Sequence, residues 1–145
     1  MGQPLLIDAC GSPFRWMVVF DRAAASRWAS LVAMGRYKHA RCFGFVASCD
    51  CWVFVDCQFA GMAVQVARGE GVRRLIAEWT SDADVLAIDA RPPGPWFPLP
   101  MVCTVAVARV VGLPVRALRP DGFFRLCLKH GASVISTGTA SRPRR

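Results

Sequence analysis

Apolar residues recur along this chain at two different periods, and each change of period marks an element. From about Asp21 to Met34 the positions Ala23, Ala24, Trp28, Leu31 and Val32 fall at helical spacing, with Asp21 as candidate N-cap and Gly35 as stop. The spacing then tightens. His39 to Val46 and Cys51 to Asp56 are rich in aromatic and β-branched residues and flank the polar Ser48-Cys49-Asp50, which predicts a hairpin. Gly61 separates a third strand, Met62 to Ala67. Val72, Leu75, Ile76 and Trp79 restore the helical period over Gly71 to Trp79, and Val85 to Ile88 reads as a short buried strand. Arg91 to Pro100 carries five prolines around Trp96 and Phe97 and predicts a stiff extended segment.

An apolar run follows from Cys103 to Val111 and ends in Gly112-Leu113-Pro114. Pro98 and Pro100 cannot lie inside a helix, so the run predicts a buried helix that opens near Cys103 and stops at Gly112. A further helix opens at Pro120 or Asp121, carries Phe124, Leu126, Cys127 and Leu128, and stops at His130-Gly131. Residues 1–12 read as an irregular lead-in and Ser133 onward as frayed. The expectation is one α+β domain over residues 1–132, an antiparallel sheet with packed helices, followed by a flexible basic tail at residues 133–145.

Composition bounds the function classes. The hydrophobic share of 54% requires extensive burial, inside the fold or against a partner. The apolar region Cys42 to Ala67 contains Asp50 and Asp56 and is broken by Gly44 and Gly61, so it reads as sheet and not as a membrane span. The net charge of +8 comes from scattered arginines and the terminal Arg142 to Arg145 stretch. Basic runs interleaved with aromatics are missing, so weak attraction to polyanions is expected and a specific nucleic-acid reader is not. Met1 to Ala9 lacks a basic start and an apolar core, which predicts cytoplasmic synthesis without a signal peptide. Seven cysteines with no scaffold rhythm predict mainly free thiols. Cys49-Asp50-Cys51 lacks zinc spacing and a second ligand pair, so it reads as a turn; no metal or cofactor is expected.

Cys103 is the candidate nucleophile. A thiol at the first turn of a helix faces unpaired N–H groups and the positive end of the dipole, and both favour thiolate. Buried cysteines in apolar helices are more often core, so the assignment needs a base. Only two histidines are available. His130 closes a helix, where interaction with the dipole is a sufficient role. His39 opens a strand, and Asp56 ends the neighbouring one after Trp52 to Val55, where its carboxylate can orient an imidazole. Gln58 is the alternative orienter, and Trp96 and Phe97 are the candidate cleft wall. The backbone N–H of Cys103 is the one oxyanion donor the sequence offers.

A histidine opening a hairpin strand (Arg36 to His39), a Trp52 to Asp56 strand, a cysteine helix ending at Gly112-Leu113 and a helix opening at Pro120 with Phe123-Phe124 occur in that order. This order resembles the circularly permuted papain-like proteins, relatives of NlpC-type cell-wall peptidases and of lecithin retinol acyltransferase. More narrowly, it is similar to small members encoded by phages and prophages. In ordinary members the cysteine helix comes first, so permutation is implied, and the interval from His39 to Asp56 is longer than usual. The resemblance spans about residues 28–131. It implies a cysteine peptidase or amidase acting on a peptidoglycan peptide or another acyl substrate, a lipid ester being the other choice. The competing expectation is a non-enzymatic phage virion or assembly component that keeps the fold and binds phage structural proteins or itself; the high apolar content speaks for it.

Overall fold

The computed structural model describes residues 11–23, 35–58, 61–92 and 102–138. The mixed α+β architecture has one six-stranded antiparallel sheet and, among the described residues, three helices. The strands are β1 (Arg15–Asp21), β2 (His39–Val46), β3 (Cys51–Gln58), β4 (Gly61–Ala67), β5 (Ala83–Asp89) and β6 (Ser133–Ser136). They lie in the order β4-β3-β2-β1-β5-β6. The helices are α1 (Gly71–Thr80), α2 (Cys103–Val111) and α3 (Pro120–Lys129).

Strand alternation divides the core in two. Trp16, Val18 and Phe20 of β1, Ala40 and Cys42 of β2 and Leu86 and Ile88 of β5 face one way and pack with Val107, Val111, Phe123 and Cys127 of α2 and α3. Val19, Phe43, Phe54 and Val85 face the other way, against Val72 and Trp79 of α1. The central strands are therefore covered on both faces. That double cover accounts for uninterrupted runs such as Met17-Val18-Val19-Phe20, and for much of the high apolar share, without a partner. No helix among the described residues is long and apolar enough to cross a membrane.

Two expectations are corrected here. Asp21 is not a helix cap: it is the last residue of β1, and its carboxylate accepts a 3.0 Å hydrogen bond from Arg41 Nη2. The rest of the helix expected from Asp21 to Met34 falls mainly on residues 24–34, outside the described residues. Nor does the chain fray at Ser133. Ser133–Ser136 adds the sixth strand beside β5, and the Gly138 N–H donates to Asp84 Oδ1 at 2.8 Å, so the first part of the expected tail belongs to the sheet.

The hairpin of β2 and β3 forms as expected. Ala47–Cys49 makes a 3-10 turn and Asp50 closes it in the left-handed region (φ 47°). α2 begins and ends where the prolines and glycine require. Gly112 takes φ 76°, its N–H bonds the Arg109 carbonyl, and a Cβ at this position would lie 2.4 Å from the Arg91 oxygen. Only glycine permits both that conformation and that approach, which fixes α2 against the exit of β5. At the opposite end of the core, Asp121 in the first turn of α3 accepts the backbone N–H groups of Arg36 and Tyr37, anchoring the approach to β2.

Candidate functional site

The expected residues come from three elements. Extended backbone places His39 at the start of β2, and the β3 strand carries Asp56 and Gln58 at its end, beside β2. α2 presents Cys103 as its first residue. His39 Nε2 lies 2.6 Å from Asp56 Oδ1, and Gln58 Nε2 donates to Asp56 Oδ2 at 2.9 Å. The Cys103 side chain is in hydrogen-bond contact with the His39 ring. Since Nε2 is engaged by Asp56, Nδ1 is the ring nitrogen left for the sulfur. Gln58, expected as an alternative to Asp56, instead holds the second oxygen of that carboxylate. His39 and Asp56 side chains retain 21% and 14% of their exposure, enough shielding to strengthen the pair and enough opening to admit a ligand.

Cys103 enters from the α2 face, where it packs beside the main core. Its sulfur meets the Ala40 and Thr104 backbone amides. Val102, the N-cap, supplies no side-chain hydrogen bond, so no side-chain oxygen competes with the sulfur for the first-turn donors. Thr104, fully buried, donates its hydroxyl to the Leu118 carbonyl at 3.1 Å and secures this end of the helix.

Electrostatics separates Cys103 from three buried thiols, Cys42, Cys57 and Cys127. Burial pushes Cys42 up, Cys57 up, and Cys127 up to about 12, as it does for thiols surrounded by apolar groups. Burial acts on Cys103 too, but the hydrogen bond and charge of His39 and the two backbone donors hold it below its ordinary value. For His39, burial opposes charge, and the hydrogen bonds with Asp56 and Cys103 outweigh it, raising the imidazole to about 9. Burial likewise works against Asp56 ionisation, while bonds from His39 and Gln58 keep it below the usual carboxylate range. The three shifts are mutually consistent: thiolate, imidazolium and carboxylate in a row. Such a row can deliver a sulfur nucleophile and return a proton to a leaving group.

Some expected residues fall elsewhere. Trp96 and Phe97 lie outside the described residues. His130 ends α3, where its carbonyl accepts Arg91 Nη2 at 2.8 Å and its Nδ1 lies 3.2 Å from Arg91 Nη1. Among the described residues no three His, Cys, Asp or Glu side chains are grouped to hold a metal.

A second charged cluster, with no signature in the sequence, surrounds Asp84. Asp84 on β5 is 1% exposed and accepts hydrogen bonds from Tyr37 Oη, Arg22 Nη2 (2.6 Å), Arg36 Nη2 (2.9 Å) and the Gly138 N–H. Burial raises its pKa, and these donors lower it further than burial lifts it. An isolated Asp in the run Ala83 to Ile88 carries no sign of these partners, which come from distant parts of the chain. Asp21 is the other such group. It faces His39 across β1 and β2 and pairs with Arg41, which lies over the Trp79 ring. Comparison of the chain with protein-family models, with curated proteins and with solved structures finds no match.

Proposed function

We propose that the protein is a cysteine hydrolase of the permuted papain-like kind, an amidase or endopeptidase in which Cys103 is the nucleophile, His39 the base and Asp56 the orienting carboxylate. The observation that carries this reading is the contact of Cys103 with an imidazole whose other nitrogen is bonded to Asp56. Cys103 Sγ attacks the substrate carbonyl, forming an S–C bond, while the first-turn amide of α2 faces the developing oxyanion. As the C–N bond breaks, His39 gives its proton to the leaving amine. It then takes a proton from water, which cleaves the thioester and restores the thiolate. Gln58 acts on Asp56 and not on substrate.

The sequence resemblance suggests peptidoglycan stem peptides as substrate, in a phage setting. The test is incubation of the purified chain with such peptides, with products read by mass spectrometry. Cleavage by the wild type that Cys103→Ala abolishes supports the reading; equal cleavage by Cys103→Ala overturns it.

One observation favours the alternative, an assembly component. β4 is an edge strand without a charged residue, and Met62, Val64 and Val66 on one of its faces are 45%, 59% and 60% exposed. An uncharged edge with unpaired backbone groups suits strand pairing with another chain. Sedimentation that reports association of the wild type, lost in Val64→Lys, supports that role. A monomer at every concentration removes it.

A further inference from the structure

An open cavity lies away from the thiol, between α3 and the segment that precedes it. Its volume is about 560 Å³, within the range of small-molecule sites. Arg116, Arg119, Arg125 and Lys129 line it, above a floor that includes Leu118 and Leu126. All four cationic residues are exposed, and no carboxylate among the described residues lies within ion-pair distance of any of them. Asp121 also borders the cavity, yet both its oxygens are taken by the backbone amides of Arg36 and Tyr37. The Arg125 Nε reaches only a backbone carbonyl, that of Asp121, at 3.4 Å. Other arginines do meet acids, at the surface and within the fold: Arg15 pairs with Asp89, Arg22 and Arg36 with Asp84, and Arg41 with Asp21.

From this concentration of unmatched charge around a concave, partly apolar space, we infer that the cavity beside α3 binds a ligand carrying two or more phosphate groups. Guanidinium groups pair with phosphate oxygens in two-point contacts, and a single carboxylate would leave most of the local charge unmatched. The apolar floor accommodates the body to which the phosphates are attached. The Leu118 carbonyl is bonded by Thr104, the residue after Cys103, and Gly35 on the other wall lies four residues before His39. A ligand held here is therefore connected through two short paths to the mouth of α2. The inference asks nothing of Cys103 and stands apart from the hydrolase reading.

The test uses the full chain and two phosphate sources. Calorimetric titration with inorganic pyrophosphate at moderate salt measures the soluble form. Flotation with cardiolipin vesicles, against phosphatidylcholine vesicles, measures a lipid headgroup that carries two phosphates. Arg116→Gln combined with Arg119→Gln is compared with Arg73→Gln combined with Arg74→Gln on α1, which removes the same charge from the opposite face of the sheet. Binding of either source that weakens about tenfold or more in the first variant, and by less than about twofold in the second, supports the site. Lys129→Gln provides a smaller loss in the same direction should the double variant fold poorly. Absence of binding to both sources, or equal weakening by both double variants, overturns it.

Discussion

Replacing Asp56 by asparagine removes one charge from the candidate site while keeping its shape, and the outcome can be worked from the hydrogen bond it perturbs. The His39 to Asp56 contact is 2.6 Å long and mostly shielded from solvent. A charge-assisted bond of this kind contributes about 1.5–3 kcal/mol, and about 1.4 kcal/mol corresponds to one pKa unit. His39 should fall by about one to two units from about 9, toward its ordinary 6.5. Because His39 is raised in the folded protein, its contribution to stability is complete below about pH 6.5 and is lost as pH climbs through about 9. Asp56 is lowered, so its contribution is present above the ordinary carboxylate pKa and is lost as pH falls through the folded value. At neutral pH Asp56→Asn removes the linkage of both groups and should cost about 2 kcal/mol. The imidazole also holds the thiol proton less tightly, so the thiolate fraction of Cys103 and its alkylation rate at neutral pH drop by about tenfold. NMR titration of the His39 ring and timed alkylation read the two effects. An unshifted His39 with an unchanged Cys103 rate would refute the reasoning.

Other perturbations test how the scaffold supports the site. Gly112→Ala places a Cβ against the Arg91 carbonyl at positive φ; thermal unfolding should show a loss of about 2 kcal/mol or more, with slower labelling of Cys103 as α2 shifts. Asp84→Ala strands Tyr37 and Arg22 around an emptied buried site and should cost about 3–5 kcal/mol in denaturant unfolding, whereas Tyr37→Phe, which keeps the ring contacts with Phe20 and Phe124, should cost about 1–2 kcal/mol. The Asp84 pKa is lowered, so the wild type should lose stability as pH falls below the usual carboxylate range, and Asp84→Asn should flatten that limb of the pH–stability curve.

Local signals carried the hairpin, α1, α2 and α3, because each has its own punctuation: the Ser48 to Asp50 turn, the prolines before Cys103, Gly112 after Val111 and Pro120 at the start of α3. β1 escaped notice because a strand buried on both faces loses its alternation and reads as a short apolar run. β6 escaped because Val134 and Ile135 are exposed and the strand owes its place to β5 and to the Asp84 contact. In the candidate site, Cys103, His39 and Asp56 could each be named from residue type and element boundary. Their meeting depends on the register of β2 against β3 and on where α2 docks, which are tertiary facts. Gln58 was noted for its chemistry but given the wrong contact, since two residues of spacing on a strand place it on the far oxygen of Asp56.

The most direct test of the proposal labels the protein with iodoacetamide at about pH 6, with the site of modification mapped by mass spectrometry in the wild type and in His39→Ala. The thiolate–imidazolium arrangement requires rapid, selective labelling of Cys103 in the wild type and slow labelling once the imidazole is gone. Equal rates in the two proteins, or labelling of Cys103 no faster than that of the other cysteines, would contradict it.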